Sequence, residues 1–270
     1  MIRISELYIY PVKSLAGIKL SSSTLSQFGL RYDRRWMIVD TAGKFLSQRE
    51  LPKMATIKTS IVNDKLVLTH NEKSINVAEI QPLSERITVT VWNDTLEAVK
   101  TDDQVNRWLS QVLAQDCQLV YMHKQAKRQI DKDYAENNQY VSFADAFPIL
   151  VISQASLDEL NSKLDKPVNI NRFRANMIVS GSKAHEEDYW QDLSINDIQF
   201  EAVKKCSRCI IPSINQSTGK QDNVKMLSVL NSYRKEDKKI KFGQNLIYKN
   251  ASAIQGKIIS CGDEIKLKKL

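Results

Sequence analysis

The run Lys205-Cys206-Ser207-Arg208-Cys209 sets thiols beside an arginine and two lysines, directly after a strand-like segment from Ile198 to Lys204. Positive neighbours favour a thiolate, the form that attacks electrophiles and binds soft metals. The 270 residues contain four cysteines and three histidines, His70, His123 and His185. A closed zinc site takes four such ligands. With no second close cysteine pair, Cys209 lacks the partners for zinc and must serve another chemistry. A redox Cys-x-x-Cys disulfide needs a helix N-terminus in a βαβ setting, which is missing here. Cys206, Cys117 and Cys261 therefore read as packing or bystander residues. Trp36 and Trp190 read as core, and His123 and His185 as structural.

The elements that must position Cys209 are short strands. Ile2–Tyr10, Ile18–Phe28, Arg35–Asp40, Ile57–Val62, Lys65–Thr69, Ile87–Val91 and Leu96–Val99 have strand composition, with Ala42-Gly43, Asn63-Asp64, Asn71-Glu72 and Asn93-Asp94 as turns. Asp102 or Asp103 then caps a helix running to about Ala114, with Val105, Trp108, Leu109 and Val112 on one face. The polar stretch Lys124–Gln139 has no apolar period and reads as a long mobile loop of the kind that often carries function. Beyond it come a buried strand at Pro148–Ile152 and a helix capped by Ser153 or Ser156. Strands follow at Asn176–Val179, Ile195, Ile198–Lys204, Leu246–Tyr248, Ala253–Lys257 and Glu264–Leu267, interrupted by a helix at Asn223–Tyr233. The domain boundary falls between Leu113 and Gln139.

Composition bounds the answer further. An apolar fraction of 42% and a charged fraction of 26% are ordinary for a globular protein. The first ten residues lack the basic head and apolar core of a signal peptide. No stretch reaches the ~20 apolar residues that span a bilayer, and the cysteines do not form a secreted disulfide framework. The expectation is a reducing cytoplasm and no membrane. The net charge of +8 reads as a solvated basic surface, with part of the excess in Lys266, Lys268, Lys269 and the exposed stretch Lys235–Lys241. No nucleic-acid motif accompanies it. An anionic small-molecule cofactor is another outlet for local positive charge.

Several motifs now line up in order: Tyr10-Pro11-Val12-Lys13-Ser14, Asp33-Arg34-Arg35-Trp36, Ser47-Gln48-Arg49, Phe143-Ala144-Asp145-Ala146-Phe147-Pro148, Asn171-Arg172-Phe173-Arg174-Ala175-Asn176, Glu187-Asp188-Tyr189-Trp190, and Cys206-Ser207-Arg208-Cys209. The set resembles the MOSC family, the molybdenum-cofactor-sulfurase C-terminal domain preceded by its N-terminal β-barrel domain. Within that family it is similar to the amidoxime-reducing components and their bacterial relatives. The resemblance covers nearly the whole chain. It implies a β-rich α+β fold, with an N-terminal β-barrel-like domain over residues 1–122 and a MOSC β-barrel domain over 123–270.

The resemblance also implies a molybdenum–pterin cofactor, with Cys209 as the single protein ligand to the metal. Because the pterin dithiolene supplies other sulfurs, one soft thiolate suffices. Lys13 and Ser14 match the family's cofactor contacts, and a lysine and a hydroxyl on a turn suit a phosphate. Arg34, Arg174 and Asn176 match its arginine and asparagine contacts, a guanidinium fork suiting phosphate or a heterocycle edge. Asp145 would accept from the pterin's N–H groups, and Ser207 would bond close to the metal. The chain departs from the family pattern at Ala175 (proline expected), Pro212-Ser213 (Thr-Thr expected) and Asn215-Gln216 (Asp-Pro expected). The last change removes a charge near the metal ligand in sequence.

The function implied is reduction of N-hydroxylated small molecules, such as amidoximes, hydroxylamines and N-hydroxylated nucleobases. With no flavin motif and no cysteines left for an iron–sulfur cluster, electrons must come from a separate flavin, haem or iron–sulfur protein. Lys124, Lys127 and Arg128 are candidate docking charges for an acidic partner. The alternative is a sulfur or cofactor carrier that holds a persulfide on Cys209 without reductase turnover. On either reading the cofactor lies in a basic cleft between the two parts.

Overall fold

The computed structural model describes residues 1–81 and 84–268. Its centre is a closed seven-stranded barrel. In order around the ring the strands are Ile149–Ser153, Met177–Ser180, Ile2–Ile9, Glu264–Leu267, Asp192–Ile195, Ile198–Ser207 and Lys239–Tyr248. The last pairs back onto Ile149–Ser153 with Ile149 opposite Leu246. Only the pair Ile149–Ser153 and Met177–Ser180 is parallel.

Alternation of side chains along each strand fills the barrel. Ile4, Leu7, Met177, Val179, Phe200 and Leu246 are among the residues of one buried apolar cluster. The strand Lys239–Tyr248 must bend across its neighbour at Gly243, where φ is +86°. A Cβ there would lie 2.6 Å from Ile152 Cγ1 and 2.8 Å from the Val151 carbonyl oxygen. Glycine is the residue that fits such an approach.

In the rest of the first half, Ser22–Ser26 and Gly29–Leu30 join a small sheet with Ile258–Ser260, and two further antiparallel sheets are built from first-half strands alone. One has the order Trp36–Val39, Gln118–Tyr121, Asp94–Lys100, Arg86–Val91; the other is Lys58–Val62, Lys65–His70, Lys73–Asn76. Helix α1, Asp103–Leu113, buries Val105, Leu109 and Leu113. The Asp102 carboxylate caps it by accepting from the Val105 N–H at 3.0 Å. Helix α2, Gln154–Ser162, is capped by Ser153, and α3, Val224–Arg234, by Asn223. No helix among the described residues is long and apolar enough to cross a membrane.

Several expectations need correction. The barrel draws on both halves of the chain: Ile2–Ile9 is one of its strands, and Ser22–Ser26 pairs with Ile258–Ser260. Backbone pairing follows exposed strand edges, wherever in the chain their partners lie. Lys239–Tyr248 is a full ten-residue strand, and Lys241, its third residue, is buried. Ala253–Lys257 is not a strand: Gly256 turns the chain at φ +84° and pairing starts at Ile258. Cys261 is exposed and so is not a packing residue. Lys269 lies outside the described residues.

The stretch Lys124–Gln139 is irregular but anchored. Ala126, Arg128, Ile130 and Ala135 are buried. Arg128 donates from Nη1 to the carbonyls of Ser142 at 2.7 Å and Ala144 at 2.5 Å, and from Nη2 to that of Asp145 at 3.2 Å. Its Nε pairs with Asp94 at 2.7 Å. Arg128 therefore ties the segment before the barrel in place and is no surface docking charge.

Candidate functional site

Lys13, Ser14, Arg34, Asp145, Arg174, Asn176, Ser207 and Cys209 all line one cavity of about 120 Å³. Residues of both halves of the chain meet there. The turn Tyr10–Ser14 is fixed by the strand that starts at Trp36: the Lys13 N–H donates to the Trp36 carbonyl and the Trp36 N–H to Pro11. Ser14, Arg34 and Arg174 all adopt left-handed backbone, with φ of 68°, 48° and 55°. That conformation is uncommon for residues other than glycine and clusters at functional sites.

Tyr10 is the keystone of the anion-seeking wall. The guanidinium groups of Arg34 and Arg174 each lie 4.4 Å from its ring centroid. Arg34 Nη1 donates to both carboxylate oxygens of the fully buried Asp33, at 2.8 and 2.7 Å, and its Nη2 to the Arg174 carbonyl. Asp33 also accepts the Tyr10 N–H at 2.8 Å. Burial pushes the Asp33 carboxyl up, and Arg34 opposes it. Arg174 donates from Nη1 to the Leu15 carbonyl at 2.7 Å, but its buried Nη2 has no partner. Desolvation, then the neighbouring Arg34, pulls its pKa down to about 10.

Lys13 is nearly buried. Its ammonium reaches the Phe143 carbonyl at 2.9 Å and Asp145 at 2.6 Å. Desolvation lowers its pKa to about 8, against the pull of Asp145. Asp145, exposed at the mouth, also accepts from the Trp92 indole at 3.2 Å. Partial desolvation between the cavity walls would raise its carboxyl, but Lys13 and the other donors outweigh that and hold it well below the usual range.

Cys209 is exposed at the end of this wall. The cation beside its sulfur is Arg49, whose Nη2 lies 3.5 Å away. Arg49 in turn stacks over Trp92 at 4.6 Å. The expected neighbours behave differently. Lys205 turns to Glu236 at 2.8 Å, and Lys204 sits 4.2 Å over the Tyr134 ring. Cys206 is half-buried, and desolvation pushes its thiol up, against a thiolate there.

Arg208 donates to the Phe242 and Phe173 carbonyls, both at 2.9 Å, and its remaining Nη2 is buried without a partner. Arg172 holds the loop after Cys209 through the Pro212 carbonyl at 3.4 Å and Asp222 at 2.8 Å. Arg49, Arg172 and Arg208 therefore join the cavity although the sequence reading did not select them. Each stands inside a motif quoted above, which was the available signal.

Two selected residues are committed to the fold. Asn176 accepts the Leu150 N–H and donates to the Tyr8 carbonyl, both at 3.2 Å. Its amide ties barrel strands and offers little to a ligand. Ser207 Oγ accepts from the buried Lys241 at 3.2 Å, so a charge from the opposite strand reaches it. The departure at Gln216 is also absorbed. Gln216 and the buried Gln48 exchange amide hydrogen bonds at 3.1 and 3.0 Å, and Gln48 donates to the Ser14 carbonyl at 2.7 Å. Asn215 bonds Asp222, the carboxylate that also holds Arg172.

This arrangement fits an anion with several acceptor oxygens. Lys13, Arg34, Arg49, Arg172, Arg174 and Arg208 face the cavity, with Asp145 the only acid among the described residues that line it. Two buried guanidinium nitrogens, on Arg174 and Arg208, lack protein acceptors. A phosphate-bearing group is the chemistry that would satisfy them, and the thiol of Cys209 suits a soft metal carried by such a group.

Comparison with known proteins identifies the family. The family pattern described as "MOSC N-terminal beta barrel domain" matches residues 1–116, and that described as "MOSC domain" matches residues 138–266. Mitochondrial amidoxime-reducing component 1 of Mus musculus is 31% identical over 86% of this chain and 71% of its own length. The chain belongs to the MOSC family. Among other members, mitochondrial amidoxime reducing component 2 of Bos taurus is 30% identical over 86% of the chain and 72% of its own length. Molybdenum cofactor sulfurase of Oryza sativa subsp. japonica is 30% identical over 98% of the chain, which spans 35% of that larger protein. These MOSC relatives link the chain to proteins named for the molybdenum cofactor and for amidoxime reduction.

Proposed function

We propose that this MOSC protein is a molybdenum-cofactor-dependent oxidoreductase that reduces N-hydroxylated compounds in the cytoplasm, with electrons from a separate redox protein. The observation that carries the reading is the cavity itself: one accessible thiol, Cys209, at the end of a wall of cations that includes two unpartnered buried guanidinium nitrogens. The amidoxime-reducing names of relatives at about 30% identity support the reaction class.

In this reading Cys209 ligates the metal, while Lys13, Ser14, Arg34 and Arg174 hold the anionic part of the cofactor and Arg208 adds a donor. Asp145 keeps Lys13 oriented and closes the mouth with Trp92. Arg49 provides the charge partner for the ligating sulfur. Bound there, the molybdenum–pterin group would supply two-electron chemistry at the N–OH oxygen. The overall balance is one N–OH group plus two electrons and two protons, giving N–H and water. Lys124 and Lys127, which are exposed, are the docking charges for an acidic electron donor; buried Arg128 is not.

The test is molybdenum content of protein from a host that makes the cofactor, wild type beside Cys209→Ala. Near-stoichiometric metal in the wild type, loss in the variant, and reduction of benzamidoxime by the loaded wild type support the reading. A second reading, a sulfur or cofactor carrier, draws on the sulfurase likeness over 98% of the chain. A persulfide on Cys209 with no molybdenum in either protein would select it.

A further inference from the structure

Arg35 is a buried cation without a counterion. It is 8% exposed and enters no ion pair among the described residues. Its guanidinium lies between the rings of Phe28 and Tyr121, at 4.5 and 5.1 Å from their centroids. One nitrogen donates to the Met122 carbonyl, and Nε has no partner. Burial holds the group below the ordinary arginine range, with no carboxylate opposing that effect. An unpaired buried charge is among the costliest features a fold can keep.

The same side chain lines a cleft of about 1030 Å³, far larger than the Cys209 cavity. The cleft runs between the Thr24–Phe28 segment, the Asn63-Asp64 turn and the strand ending at Tyr121. Its wall is aromatic. Trp36 packs 5.0 Å from Tyr121 and lies within 27° of the Tyr32 ring plane, and its buried indole N–H has no partner. The rim carries Arg31, Arg86 and Lys124 together with Asp64 and Glu79; Arg31 pairs with Asp64 at 3.2 Å and Arg86 with Glu97 at 3.6 Å, which leaves Arg35 as the cleft's buried cation without a carboxylate among the described residues. His123 sits among them, pushed down by burial and then by Arg86. One short stretch of backbone serves both cavities: Arg34 faces the first, and Arg35 and Trp36 face the second.

We propose that this cleft is a second ligand site, for a flat heteroaromatic ring that carries a phosphate. Arg35 pairs with the anion, and the Trp36 N–H donates to a ring acceptor beside Tyr32. The proposal is independent of the reaction assigned to Cys209.

Flavin mononucleotide and riboflavin are suitable probes, since they share a ring and differ in the phosphate. Titrating the full chain should quench flavin mononucleotide emission saturably, with riboflavin at least about tenfold weaker. Excess inorganic phosphate should compete. Arg35→Met should erase the difference between the two probes, while Arg174→Met in the other cavity should leave it intact. Arg86→Ser, an exposed rim change, should narrow the difference and serves if Arg35→Met fails to fold. The proposal is overturned by no saturable binding up to about 1 mM, by equal affinity for both probes, or by loss of binding in Arg174→Met with retention in Arg35→Met.

Discussion

Asp33→Asn isolates the part of the site that the fold holds most tightly. The carboxylate is fully buried, accepts two bonds from Arg34 Nη1 and accepts the Tyr10 N–H. An amide offers one acceptor atom and turns two N–H donors toward these donors. Arg34 would then be left without its counterion, packed on the same Tyr10 ring as another guanidinium, Arg174. Removing one partner of a buried pair costs about 3–5 kcal/mol. At roughly 2–4 °C per kcal/mol for a chain of this size, the melting temperature should fall by roughly 10 °C. The double variant Asp33→Asn/Arg34→Met removes the stranded charge and should recover part of the loss, a coupling of about 1–3 kcal/mol. Thermal unfolding followed by circular dichroism, with urea midpoints as a second measure, reads both values. If Asp33→Asn unfolds within about 1 kcal/mol of the parent, or the double variant is no more stable than the single, the pair does not carry the wall and the reasoning fails.

Other outcomes follow from the same geometry. Lys13 has a folded pKa of about 8, against about 10.4 for a free lysine. Between those values the unfolded chain binds more protons, so stability should rise with pH by up to about 3 kcal/mol across that window. Lys13→Met should flatten that limb of the pH–stability curve; an unchanged limb would show that Lys13 is not the titrating group. Arg128→Met strands three backbone carbonyls that it now holds and should cost at least about 2 kcal/mol, while Lys127→Glu on the surface should stay within about 0.5 kcal/mol; denaturant midpoints compare them. Gln48→Met removes the donor that the Ser14 carbonyl and the Gln216 side-chain carbonyl now share and should cost about 1–3 kcal/mol in the same assay.

Much of the site was legible because its motifs are local. Lys13, Arg34, Asp145, Arg174 and Cys209 each stand in a short run whose order survives in sequence, and the fold brings them to one cavity. Strands rich in strand-forming residues, such as Ile2–Ile9 and Ile198–Ser207, were readable for the same reason, although bulges interrupt both. What stayed hidden depends on distance along the chain. Arg49 lies 160 residues from the sulfur it approaches, and the Gln48–Gln216 pair spans 168. Lysines at the start of Lys239–Tyr248 looked solvent-bound, yet Lys241 is buried. The left-handed backbone of Ser14, Arg34 and Arg174 had no glycine to announce it.

The ring of strands has a temporal consequence. Ile2 lies opposite Ile265 and Arg3 opposite Glu264, so the barrel is sealed by segments far apart in sequence. Pairings of such separation close slowly, because the loop entropy is lost before the contact forms. Strand Ile2–Ile9 must wait, with one edge unsatisfied, until Glu264–Leu267 has been made. The turn bearing Lys13 follows directly on that strand, while Cys209 sits beyond a strand from the far side of the ring. The pocket is therefore among the last features to exist, and any group it receives must be loaded after closure, as a late maturation step.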